Sequence, residues 1–217
     1  MMVSLLELLN FMVLLILSTA LHEMAHARIA DHFGDDTPRR AGRMTFNPFP
    51  HLDPMMSILL PAVLYASHGS VLAAAWTPVN PFRMRNPRVH GMLCALGGPA
   101  VNLVLMALAT VALGVGLAHG GPDSALVNLA ETAVHLNAFL AVFNFLPVPP
   151  LDGSAVLEAL LPRRFLPQFA ALRRYGFLIL IGLLLLGVVE TMVIPPLRIL
   201  MTTCGTVAAV IAGVLGG

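Results

Sequence analysis

The chain has 217 residues, 58% hydrophobic and 11% charged, with a mean hydropathy of +0.85, whereas a soluble domain is roughly 45–50% apolar and about 25% charged. Its formal net charge of +1 offers no attraction to a polyanion, so no nucleic-acid partner is expected. These figures predict an all-α integral membrane protein, a single polytopic domain over 1–217 with no soluble module attached.

The first apolar run covers about 3–28. It lacks the positive n-region of a signal peptide and is interrupted by Glu7 and Asn10, so it is expected to stay in the mature protein. Near its end stands L-H-E-M-A-H-A, at 21–27. His22 and His26, four residues apart, share one helix face and can both reach one ion. Glu23, one residue on, lies beside that ion and is placed to take a proton from water on it. The three lie roughly 9 Å before Arg28 at about 1.5 Å per residue. An ionisable side chain in the bilayer core costs roughly 2.5–3.5 kcal/mol, which makes each a functional candidate.

The stretch R-I-A-D-H-F-G-D-D-T-P-R-R-A-G-R (28–43) reads as a loop, as does T-P-V-N-P-F-R-M-R-N-P-R (77–88). Between them, the run at 56–75 carries a proline near its start and S-H-G-S in its middle. All twelve basic residues are arginine. If 56–75 crossed the membrane, they would divide five against seven. If it enters and turns back around Ser67–Ser70, eleven share one side and only Arg198 is opposite. That bias is what the positive-inside rule expects, so a re-entrant hairpin is predicted there, covered by protein or a watery cavity. His51, with Asp53, lines the site or sits in the membrane interface. Trp76 opens W-T-P-V-N-P, an extended edge to which a substrate strand could add, although Pro78 and Pro81 remove two donors.

Apolar helices follow at about 91–118 and 125–146. Asn102 and Asn137 lie within them, each as polar glue between helices or as a substrate contact. The second helix breaks at N-F-L-P-V-P-P-L-D-G (144–153). Asp152 is either an ordinary surface loop acid or the third ligand that a catalytic zinc requires. With a hairpin at 56–75, Asp152 returns to the Arg-rich side, level with the histidines. With a full crossing it would emerge on the far face. Beyond it, S-A-V-L-E-A-L-L forms a short helix stopped by Pro162, and apolar runs at about 175–190 and 197–215 complete the chain. The expectation is about five transmembrane helices plus the hairpin: a catalytic core of three helices within about 1–160, then C-terminal helices over about 170–217. Cys94 and Cys204 lie in apolar segments and read as small buried side chains.

The motifs H-E-M-A-H (22–26), G-G-P-A-V-N (97–102) and N-F-L-P-V-P-P-L-D-G (144–153) together resemble those of the site-2 protease family (peptidase family M50) of intramembrane zinc metalloproteases. F-N-P-F-P-H-L-D-P (46–54) and W-T-P-V-N-P (76–81) resemble its short bacterial branch, without PDZ or CBS modules. The resemblance implies one catalytic Zn2+ held by His22, His26 and Asp152, with Glu23 as general base. It makes Asn144 a second catalytic residue, helping to hold the substrate or the oxyanion. It further implies a transmembrane protein in the lipid bilayer as substrate, cut in or near its transmembrane segment in regulated intramembrane proteolysis. The expected location is a bacterial inner membrane, with the site open to the cytosol. Asn102, His51 and Trp76 are the candidate substrate contacts.

Three rival readings use the same residues. A membrane metal transporter or sensor would need the three ligands but not the chemistry of Glu23. A prenyl-protein-processing type of protease would take a later glutamate as third ligand; Glu131, Glu158 and Glu190 are available, none in so suitable a break. An inactive relative would not need an intact H-E-M-A-H.

Overall fold

The computed structural model describes residues 5–45, 47, 49–51 and 77–216. Its helices, in chain order, are α1 (Leu5–His32), α2 (Thr37–Arg40), α3 (Pro87–Gly120), α4 (Ala125–Asn144), α5 (Asp152–Leu160), α6 (Leu166–Arg174), α7 (Gly176–Leu185) and α8 (Val188–Gly216). Short 3-10 turns lie at Phe49–His51, Pro81–Arg83 and Arg163–Phe165. No strand occurs among the described residues. The run at 56–75, read as a re-entrant hairpin, and Trp76 lie outside the described residues, as does the side chain of His51.

Among the described residues four helices, α1, α3, α4 and α8, are long and apolar enough to cross a bilayer. A fifth span is reached only if Arg163–Arg174 and Gly176–Leu185, bent by 71°, count as one. Local chemistry sets the helix ends. Pro87 sits in the first turn of α3, where its missing N–H costs nothing, and the Asn86 side chain accepts from Val89 N. Gly121, at φ +73°, ends α3 in the left-handed region that glycine adopts freely. Ser124 then caps α4 by accepting from Val127 N. Along α1, Leu5, Leu6, Leu9, Val13 and Leu17 are exposed. Such an apolar outer face suits lipid rather than water.

α3 is the central element, packed against α1, α4, α5 and α8. Two clusters mark opposite ends of the bundle. At one end Val142, Phe143, Leu146 and Leu151 pack with Leu180, Val189 and Val193. At the other, Leu113 packs with Val127, Ala130 and Ala208. α8 therefore runs parallel to α3. α7, with ten residues, reaches about 15 Å and stays near the end where α8 begins. This alters the expected placement of Arg198. It lies five residues after Val193 and ten before Ala208, nearer the Arg-rich end than the far one.

The chain on either side of 52–76 meets at that same end. Arg83 Nη1 pairs with Asp36 Oδ1 at 2.6 Å, Arg85 N donates to Phe33 O at 3.1 Å, and His90 stacks on Phe33 with ring centroids 3.9 Å apart. Asp35, fully buried, accepts from Thr37 N, Thr37 Oγ1 and Asn80 N. It pins the segment at 77–80 to the end of α1. Desolvation pushes the neighbouring Asp36 carboxyl up, but Arg40 and Arg83 outweigh it and hold that group below its ordinary value.

Candidate metal centre and active site

Close helix packing creates the site. Gly97 and Gly98 of α3 face α1: a Cβ on Gly97 would lie 2.3 Å from Ile29 Cδ1, and one on Gly98 would lie 2.4 Å from His22 Nε2 and 2.5 Å from His26 Nε2. Only residues without a side chain let the two helices meet here. Pro99 follows and lacks the N–H that would bond Ala95 O, four residues back. Beside Ala95, the Cys94 carbonyl accepts from His26 Nδ1 at 2.7 Å.

α5 brings the third group. Asp152 opens it, and Gly153 lies so close to the end of α4 that a Cβ would sit 2.2 Å from Phe145 O and 2.5 Å from Leu146 O. Those atoms are backbone and cannot swing aside. The Leu-Asp-Gly sequence is thus a packing requirement that places Asp152 against the bundle. Asp152 Oδ2 lies 3.1 Å from His22 Nε2 and 3.3 Å from His26 Nε2. The ligand atoms of His22, His26 and Asp152 all fall within 4.8 Å of one another. The two imidazoles meet edge to face with centroids 4.7 Å apart.

The donor set fits a metal ion. His22 Nδ1 lies 2.5 Å from Asn102 Oδ1 and His26 Nδ1 lies 2.7 Å from Cys94 O. Both partners accept, so both Nδ1 atoms carry the hydrogen and both Nε2 atoms present lone pairs. Two such lone pairs and a carboxylate oxygen repel one another unless a cation lies among them. An ion about 2 Å from each donor in a tetrahedral arrangement separates the donors by about 3.3 Å, close to the observed spacing from Asp152.

The other expected residues are placed as follows. Glu23 is buried beside His22, 6% exposed, and its carbonyl accepts from Thr77 Oγ1. Asn144 ends α4 and donates Nδ2 to Leu140 O at 2.9 Å. Asn102 is fully buried and bonds His22 and Asn137, the inter-helix bond that polar residues in apolar helices lead one to expect. The supports that sequence reasoning missed are Asp35, indistinguishable from a loop acid, and the Cys94 carbonyl, a backbone atom that no residue type announces.

No family model matches the chain, and no solved structure matches it significantly. Curated relatives do. "Putative zinc metalloprotease YwhC" of Bacillus subtilis is 37% identical over 174 residues, covering 78% of this chain and 77% of the relative. "Putative zinc metalloprotease Rip2" of Mycolicibacterium smegmatis is 32% identical over 173 residues, and that of Mycobacterium tuberculosis 33% over 172. Each covers 78% of this chain, which spans 64%, just under two thirds, of each Rip2 protein. With that identity over most of both chains, and the motif residues drawn together as described, the chain belongs to the site-2 protease family of zinc metalloproteases.

Proposed function

We propose that this chain is an intramembrane zinc endopeptidase that hydrolyses a peptide bond in or near a transmembrane segment of another membrane protein, in regulated intramembrane proteolysis. The observation that carries the reading is the convergence of His22 Nε2, His26 Nε2 and Asp152 Oδ2 between helices of a membrane bundle, with Glu23 adjacent. In this reading the three residues hold one zinc ion. When bound, zinc supplies Lewis acidity, polarising the scissile carbonyl and acidifying water. The Glu23 carboxylate accepts the proton of the attacking water and delivers it to the departing amide nitrogen as the C–N bond breaks. The second N–H of Asn144 Nδ2, the one not given to Leu140 O, donates to the developing oxyanion. The arginines gathered at the site end support an orientation with that end at the cytosolic face of a bacterial inner membrane.

The metal-transporter reading uses the same ligands and differs at Glu23. In cells co-expressing a tagged single-span membrane protein, the parent releases a shortened fragment. Glu23→Gln, an isosteric loss of the base, abolishes the fragment, while purified protein keeps about one zinc per chain. Fragment release that survives Glu23→Gln removes the protease assignment.

A further inference from the structure

The orientation of His22 is set from two helices away. Ala133 O, on α4, can only accept, and it lies 3.0 Å from Asn137 Nδ2. The Asn137 amide is thereby oriented with Oδ1 toward α3, where it accepts from Asn102 Nδ2 at 3.0 Å. The Asn102 amide is oriented in turn, with Oδ1 toward α1 and His22 Nδ1 at 2.5 Å. Asn102 and Asn137 are 0% and 2% exposed, so water does not substitute for either. Reversing both amides would press Asn137 Oδ1 against Ala133 O. A buried acceptor left without a donor costs about 1–3 kcal/mol. The relay therefore has one sense, and it ends by requiring a hydrogen on His22 Nδ1.

We infer that Asn102 and Asn137 are positioning residues, forming a directional amide relay from the Ala133 carbonyl that holds the His22 ring with its Nε2 lone pair toward Asp152. The inference rests on the reading that His22, His26 and Asp152 hold a metal ion. It assigns Asn102 to histidine orientation rather than to substrate. It also gives Asn137, which touches neither a histidine nor Asp152, a share in metal affinity. Partners of this kind typically change affinity 10–100-fold when lost.

The test is the zinc dissociation constant of detergent-purified protein, read by competition with a fluorescent chelator, with helical content by circular dichroism as the folding control. Asn102→Leu, which keeps volume but accepts nothing, is expected to weaken zinc binding about 10–100-fold. Asn102→Asp still accepts from His22 Nδ1 and binds zinc more tightly than Asn102→Leu. Asn137→Leu weakens binding, and Asn137→Asp, whose buried carboxyl keeps its proton, donates it to Ala133 O, still accepts from Asn102 Nδ2 and does not. If a position-102 variant fails to fold, the position-137 pair decides alone. The relay is overturned if the leucine variants bind as the parent does. It is equally overturned if leucine and aspartate lose affinity alike, since amide shape rather than orientation would then matter. A parent that binds no zinc instead overturns the metal reading on which the relay rests.

Discussion

Gly98 carries the packing demand that bears most directly on the metal ligands. Its missing Cβ would fall 2.4 and 2.5 Å from the two nitrogens that face Asp152. Neither ring can retreat cheaply, because Asn102 holds one and the Cys94 carbonyl holds the other. Gly98→Ala should therefore do more than overpack a core, which alone costs about 1–3 kcal/mol. The new methyl occupies the space between the histidines and should lower zinc affinity at least about 100-fold, the upper end for loss of a supporting group. The measurement is zinc content after dialysis against a chelator. A Gly98→Ala protein retaining its zinc would mean that the ion lies elsewhere.

At the scale of elements, α5 decides whether Asp152 reaches the histidines. Its first turn is fixed by Gly153 against α4, and its last by Arg88, whose Nε and Nη2 donate to Ala159 O and Leu161 O. The guanidinium thus satisfies carbonyls that a helix end leaves without partners. Arg88→Ala should loosen α5 by about 1 kcal/mol, less than a buried charge-assisted bond because the side chain is exposed. Hydrogen exchange should report faster exchange over residues 156–160, with α1 and α4 unchanged; uniform protection would refute the clamp. Two groups of the site were legible in the sequence because a helix repeat fixes their spacing: His22 and His26 share a face whatever surrounds them. Asp152 was legible because prolines end the helical run of α4 just before it. Arg88 was not, since it caps carbonyls 71 and 73 residues away and only the approach of α3 to α5 brings them together. The destination of Asn102 was hidden for the same reason. An amide in an apolar helix announces that it needs a partner, but the helix crossing decides which one.

For the whole molecule, charge and packing set the topology. α1 ends and α3 begins at the Arg-rich end, α4 returns to it and α8 leaves from it. The run at 175–190 read as a span because it is apolar enough; at ten residues, α7 is too short to cross about 30 Å of hydrocarbon. Its partial depth moves Arg198 toward the other arginines, so the charge asymmetry exceeds the eleven against one that simple counting gives. On the proposed orientation, the α3–α4 turn faces away from the cytosol and α2 faces into it. Single cysteines in place of exposed Asp123 and Ala41 test this, with low background because Cys94 and Cys204 are buried. In intact spheroplasts a membrane-impermeant maleimide should label Asp123→Cys, and should reach Ala41→Cys only after permeabilisation. The opposite pattern would put the metal site on the outer face. The arginines would then lie against the positive-inside rule, and the substrate would have to be cut from the other side of the membrane.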